Sequence, residues 1–334
     1  MLPTRIGAQA VPPPPGVIGS LRTGFDAVAG HIGLIFAPLA LDLLLWLGPR
    51  LSIRTLMQPV LDEMSRLTPT AGITANDMAG VLEMYSGFVA RFNLLAVLRT
   101  LPVGITSLMS GLLPEFSPLG APSVVQIERV GQLVGLFLVF TVLGWMLGGL
   151  FYQRVAALVM PKSASGTIPS PGRAVTQTVL HSLIWIVLLW SIGLPGLFIV
   201  FLGFSINMVL GQGLLLFAAF VALWLFVPLF FTPHGIFVRK QNAFTSFLGG
   251  FRLTRLSLPS SSLFVLSVIL VGAGLNMLWS VPAEDSWIAL VGILGHAFIT
   301  TALLASSFVY YQDMSVWLQA VIEQLRSEFP AQKA

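Results

Sequence analysis

His31, His181, His234 and His296 are the side chains best suited to acid–base or metal chemistry in this chain, and their spacing supports neither. No two stand three or four positions apart on one helix, so the H-E-x-x-H arrangement that holds a catalytic zinc is missing. The sequence contains no cysteine, which removes thiolate nucleophiles, disulfides, iron–sulfur clusters and cysteine zinc sites together. There is no G-x-x-x-x-G-K-[ST] loop to cradle phosphate and no G-x-S-x-G elbow to present a serine. Carboxylates adjoin at Asp62 with Glu63 and at Glu284 with Asp285, but sequence neighbours point apart on a helix and read as solvated charge. The sequence thus predicts no catalytic residue, no metal ligand and no cofactor, in a protein that is not itself an enzyme.

Polar groups embedded in apolar runs are the remaining candidates. Asp42, Asn276 and His296 lie in such runs, and Thr300 and Ser307 follow His296 on one helix face. Ionisable groups in that setting are costly and face protein or water. At about 1.5 Å of rise per residue, Asp42 and Asn276 fall about 8 to 9 Å inside the outer boundary and His296 near the midplane. Asp42, Asn276, His296 and Thr300 therefore form a candidate site for an ion, a proton or a lipid headgroup. The competing use is structural: hydrogen bonds that tie helices together, or pairing of Asp42 with Arg50 or Arg54 at the rim.

The elements that must position these residues are set by hydrophobic length. Residues 174–238 contain no Asp, Glu, Lys or Arg, too long for one crossing of about 20 residues and suited to two. With 56% hydrophobic residues, 9% charged residues and a mean hydropathy of +0.90, the chain lies far from soluble composition. The predicted fold class is all-α, a polytopic transmembrane helical bundle of about six spans with interfacial amphipathic helices. The spans fall at about 30–47, 130–150, 175–202, 214–231, 263–281 and 287–311. Residues 17–30 form an interfacial lead-in helix. Residues 50–129 form an outer interfacial segment in which 93–113 lies on, or dips into, the interface. Residues 1–16 read as a disordered Pro-rich cytoplasmic tail without a signal-peptide core, and 313–334 as an amphipathic cytoplasmic tail.

Charge sets the orientation. The net charge of +4 is spread over short loops and forms no stripe that would suit nucleic acid. The loops at 152–173 and 232–259 carry basic residues and no acid, whereas the turn at 282–285 is acidic. By the positive-inside rule the protein is a multi-pass plasma (inner) membrane protein with both termini cytoplasmic. Arg22, Arg239, Lys240, Arg252 and Arg255 then form a basic collar placed to contact anionic lipid, with 243–251 lying flat beneath a Phe244, Phe247 and Phe251 stripe. The pairs Gly131 with Gly135 and Gly144 with Gly148 are small-residue faces open to another helix, from this chain or another membrane protein.

The chain also echoes itself. Ser20-Leu21-Arg22-Thr23-Gly24-Phe25 and Ser246-Phe247-Leu248-Gly249-Gly250-Phe251 share Ser, Gly and Phe at one spacing, each before a span, and Arg173-Ala174-Val175-Thr176 opens a third such unit. The stretch Gly235-Ile236-Phe237-Val238, Asn242-Ala243-Phe244, Ser246 and Arg252-Leu253-Thr254-Arg255 resembles bacterial six-span proteins related to the membrane domain of glycerophosphoryl diester phosphodiesterases and the YciC-like group. The resemblance covers about 235–270. It implies a membrane fold and no phosphodiesterase activity, which in that group belongs to a separate soluble domain. The functional expectation is a membrane-embedded binding, scaffold or accessory component contacting lipid. The alternative is a small-solute or ion transporter using the buried polar site.

Overall fold

The computed structural model describes residues 13–67, 75–160 and 168–328; most of the Pro-rich tail and the loop around Ser163 and Ser165 lie outside them. Five helices are long and apolar enough to cross a membrane, Val130–Val159, Pro171–Ile206, Met208–Arg239, Ala243–Trp279 and Ala289–Gln324. A sixth crossing is available to the pair Val17–Gly30 and Ile32–Leu47, which bends by 93°. The protein is an all-α bundle with the dimensions of a multi-pass membrane protein.

The chain opens with α1 (Val17–Gly30), a 3-10 turn (Ile32–Ile35) and α2 (Phe36–Leu47). The next elements are β1 (Arg50–Ser52), α3 (Arg54–Leu67), α4 (Ala75–Arg91), a 3-10 turn (Leu94–Leu98), α5 (Met109–Leu112) and β2 (Val124–Gln126). Strands β1 and β2 pair in parallel and close the base of the long connection. The main helices then follow: α6 (Val130–Val159), α7 (Pro171–Leu188), a π segment (Leu189–Gly193), α8 (Leu194–Ile206), α9 (Met208–Phe231), α10 (His234–Arg239), α11 (Ala243–Trp279) and α12 (Ala289–Glu328).

Local chemistry fixes the breaks between them. Asn207 ends α8 and caps α9, its side-chain oxygen accepting from the amides of Val209 (2.7 Å) and Leu210 (3.4 Å), as an N-cap does. The turn expected over 203–213 is therefore one residue wide. Asn242 caps α11 through the amide of Thr245, and Pro171 opens α7 where its missing N–H costs nothing. The sixth span and the expected amphipathic tail are one continuous helix, α12.

Three lead helices dock in one way. Ser20 and Gly24 of α1 face Ser306 of α12, whose hydroxyl donates to the carbonyl of Leu21 at 3.2 Å. Ala174 and Thr178 of α7 face Gly149 of α6, where an added Cβ would sit 2.7 Å from the Thr178 hydroxyl. Ser246 and Gly250 of α11 face the end of α9, the Ser246 hydroxyl donating to the carbonyl of Thr232 at 2.6 Å. Small residues four positions apart let each pair of backbones approach closely. The sequence echo is thus a repeated docking device. In the first and third units the helix also breaks at the residue eleven positions after the serine, at His31 (φ −138°, ψ 57°) and at Ser257 (φ −129°, ψ 24°).

Two expectations about interfacial helices need correction. Helix α1 is packed along α12 and buries Ser20, Gly24 and Val28; it is part of the bundle. Residues 234–238, beyond the span expected to end at about 231, are in the core, with Ile236 and Phe237 fully buried. Phe247 turns inward beside His181, so of the aromatic stripe only Phe244 is fully exposed.

The long connection departs furthest from a surface segment. Residues 94–109 bury Leu94, Leu98, Thr100, Val103, Ile105, Ser107, Leu108 and Met109, lodged among α2, α6 and α12. Gly144 and Gly148 make room for this piece and not for another helix. A Cβ at Gly144 would lie 2.5 Å from Thr100 Cγ2, and one at Gly148 would lie 2.7 Å from Gly104 Cα. Gly131 and Gly135 have open space around them and receive no neighbour among the described residues. Overpacking a close contact costs about 1–3 kcal/mol, so Gly148→Val is expected to lower the thermal midpoint in detergent. Gly135→Val should stay within about 0.5 kcal/mol of the parent, as expected of an unpacked site.

Candidate functional site

Helix α2 carries Asp42 to the point where the buried connection turns into α5, and the carboxylate is fully enclosed there. Its Oδ1 accepts from the Ser107 hydroxyl at 2.5 Å and the Met109 amide at 2.9 Å, and its Oδ2 accepts from the Leu108 amide at 3.2 Å. Asp42 therefore satisfies the first amides of a turn that has no preceding helix to do so, which is what a capping carboxylate achieves. Arg50 is engaged elsewhere. It is buried and donates to the carbonyls of Ala90, at 3.0 Å, and Pro114, so the expected pairing of Asp42 with Arg50 at the rim does not form.

The residue before Ser107 reaches α12. Thr106 donates its hydroxyl to Thr300 at 2.7 Å, and Thr300 donates in turn to the carbonyl of His296 at 2.8 Å. His296 is 8% exposed, and its Nε2 has no hydrogen-bond partner among the described residues. Asp42, His296 and Thr300 are thus linked by adjacent residues, Thr106 and Ser107. Asn276 is not with them: it lies exposed on α11.

Arg99 stands beside the cluster, in the 93–113 piece that the sequence places on or dipping into the interface. Its Nη1 donates to the Ser110 hydroxyl at 3.1 Å, and the Ser110 amide donates to the Ser107 hydroxyl at 3.0 Å. No carboxylate lies within ion-pair distance of Arg99 among the described residues. On the far side of the loop, Trp145 of α6 donates to the carbonyl of Leu101 at 3.1 Å, and Thr100 donates to the carbonyl of Val103 at 3.0 Å.

A second buried cluster lies toward the other end. His181 shares a hydrogen bond with the Thr232 hydroxyl at 3.3 Å, and His234 shares one with the Ser307 hydroxyl at 2.8 Å. The His234 ring is stacked on Tyr311, 5.5 Å between centroids. Both histidines are essentially inaccessible. The small and polar face Ala174, Thr178, His181 and Ser182 was the available signal for the first of them. Their surroundings are helix–helix contacts, consistent with a packing use.

The two ends of the bundle differ in charge. Trp46 donates to the carbonyl of Glu284 at 2.7 Å, so the acidic turn stands at the end where α2 meets β1. At the opposite end, Arg173 donates to the carbonyl of Lys240 at 3.1 Å. Arg252 and Arg255 project, exposed, from the third and fourth turns of α11, and Arg239 ends α10 beside Lys240. Arg22 is also exposed and pairs with Asp26 at 3.6 Å. The five bases named from sequence thus share one end, and among the described residues only Arg22 has an ion-pair partner. Among the described residues no group of three His, Cys, Asp or Glu is placed to hold a metal ion.

The chain matches no protein-family model, no curated protein and no solved structure.

Removing the Asp42 carboxylate should release the connection. Asp42→Ala leaves the Leu108 and Met109 amides unpaired in a buried site, at about 1–3 kcal/mol for each orphaned donor. The expected outcome is a clearly lowered thermal midpoint with new protease sensitivity in 93–113. Ser107→Ala, which removes one of three donors, should cost about 1 kcal/mol.

Proposed function

We propose that this is a plasma-membrane protein with both termini cytoplasmic, acting as a non-catalytic binding, scaffold or accessory component that contacts anionic lipid. The observation that carries the reading is the gathering of bases, of which only Arg22 has an ion-pair partner among the described residues, at one end of an apolar bundle whose other end carries the acidic turn Glu284–Asp285 and the charge-balanced connection 50–129. An inner leaflet rich in anionic lipid contributes about 1 kcal/mol per nearby Lys or Arg, and the same bases orient the chain by the positive-inside rule. The polar residues inside the bundle support the reading as well. Asp42 has its oxygens occupied by the chain's own donors, the arrangement of a structural carboxylate and not of a vacant solute site. The resemblance of 235–270 to the membrane domain of glycerophosphoryl diester phosphodiesterases and the YciC-like group is in keeping with a membrane role of this kind.

A transporter is the second reading, favoured by one observation. The first and third lead helices break at corresponding positions, His31 and Ser257, and breaks in repeated units mark sites in secondary transporters. Flux into proteoliposomes across a panel of ions and small solutes separates the two. The scaffold reading expects none above protein-free vesicles, and uptake lost in a folded His296→Ala variant would replace it.

The lipid contact is tested by moving charge without removing it. Arg252→Gln and Arg255→Gln, combined with Phe244→Lys and Thr245→Lys at exposed positions, keep the loop basic. Surface labelling of a cysteine at position 284 should persist, showing that orientation is kept. Anionic lipid co-purifying with the protein, counted by mass spectrometry, should fall. Unchanged lipid would reduce these bases to an orienting role.

A further inference from the structure

Helices α8 and α9 leave the bundle as an arm. Burial along α7 ends at Ser182, and no residue from there to Ile199 is buried. Between positions 193 and 224 only two faces are not exposed: Gly193, Gly196, Val200 and Gly203 on the first strand, and Gly211, Leu214, Ala218 and Val221 on the second. These faces meet each other, since a Cβ added at Gly203 would strike Leu214 and one added at Gly211 would strike Phe204. Small residues thus seat the two helices together. Grazing contacts aside, α8 packs on α9 and the π segment and on no other element. Every other side of the arm carries bulky apolar residues such as Phe201, Phe217 and Leu223, 65%, 65% and 72% exposed.

Both strands are weakened at one level. The chain reverses at Asn207, so residues equally distant from it stand side by side in the antiparallel pair. Pro195 withholds the amide that would bond the carbonyl of Ser191, sixteen residues before the reversal and inside the π segment. Pro228 withholds the amide that would bond the carbonyl of Trp224, seventeen residues after it. Prolines and π turns are where helices bend. At about 1.5 Å per residue this level is about 25 Å from the tip, inside a hydrocarbon core about 30 Å thick. On the bundle side of it the strands are held: the backbone of Pro228 and Thr232 lies against Gly250 of α11, and Thr178 lies against Gly149 of α6. The spans are also long. Pro171–Ile206 has 36 residues and Met208–Arg239 has 32, about 54 and 48 Å of helix, and a stretch that exceeds the membrane tilts or kinks.

We propose that residues 194–224 move as one rigid two-helix arm about a hinge at the level of Ser191 and Trp224, and that the tilt of the arm follows the thickness of the hydrocarbon core. The tip carries Ser205, Asn207 and Gln212, polar groups that hold it at the outer interface, while α6 and α11 fix the other end. A thinner core is then met by a larger tilt. For an arm of about 25 Å, a change of about 15° moves the tip by about 6 Å. The swing alters the gap between the arm and the outer half of α6, where Val134, Phe137 and Leu138 are exposed. The proposal uses none of the collar bases and needs only that the bundle spans a membrane.

The chain has no cysteine, so paired spin labels can be placed on the full-length protein by substitution at exposed positions. Ser205→Cys at the tip is paired with Gln132→Cys at the start of α6, and Gln132→Cys with Asp285→Cys serves as a reference within the bundle. Pulsed EPR reads both distances in nanodiscs of dimyristoyl and of dieicosenoyl phosphatidylcholine. The tip distance should shift by about 6 Å between the two lipids, and the reference should hold still. An unchanged tip distance would overturn the proposal, and so would an equal shift in the reference, the mark of a deformation shared by the whole bundle. Pro195→Leu with Pro228→Leu restores both amides and should cut the tip shift to less than half. A full shift in that double variant, with its reference distance intact, would overturn the hinge. Should the variant fail to fold, the two distances in the parent chain decide the matter by themselves.

Discussion

Backbone amides and carbonyls cannot go unpaired in hydrocarbon, and the architecture follows from that constraint wherever the chain is not helical. The segment from Leu94 to Leu112 has little helix to satisfy its own groups, so other elements do so. Asp42 takes two of its amides, Trp145 covers the carbonyl of Leu101, and Thr100 closes a turn on Val103. The glycines at 144 and 148 give the room for this. A helix with side chains at those two positions would hold the segment away from its donors, and the polar groups would then face lipid.

The same constraint sorts the polar residues that the sequence places in apolar runs. Asp42, Ser107, Thr106 and Thr300 are spent on joining the connection to the bundle. His181 with Thr232, and His234 with Ser307, join helices to one another. Unpartnered buried atoms remain among the described residues after this sorting, including Nδ1 of His181 and of His234 and the indole nitrogens of Trp185 and Trp279. His296 Nε2 is another such group.

How much was legible in the sequence depended on whether a feature is set by composition or by neighbours. Hydropathy alone finds the long helices, since 65 residues without charge at 174–238 can only be two crossings in this class of protein. The embedded Asp42 was visible for the same reason. The connection was not, because Arg99 and Pro102 mark it as surface when read alone, and the donors that let it go inside come from positions as far off in sequence as Asp42 and Trp145. Gly131 with Gly135 and Gly144 with Gly148 have identical spacing, and only the second pair lies at the depth where the connection arrives. Asn276 and His296 looked equivalent as polar residues in spans, yet helix rotation leaves one exposed on α11 and encloses the other.

The three docked lead helices differ in when their partners exist. Helix α7 meets α6, and α11 meets α9, so each lands on a helix already synthesised. Helix α1 docks on α12, which is made last among the described elements, and until then the close-packing face formed by Ser20, Gly24 and Val28 has no seat on its own chain. The junction of α1 with α12, where Ser306 bonds to Leu21 across 285 positions, is very long-range in sequence terms, and such contacts form late because the intervening chain must first be ordered. During biogenesis the first helix is therefore a client waiting for the last, and any insertase or chaperone that attends this protein has α1 to shelter until translation brings α12.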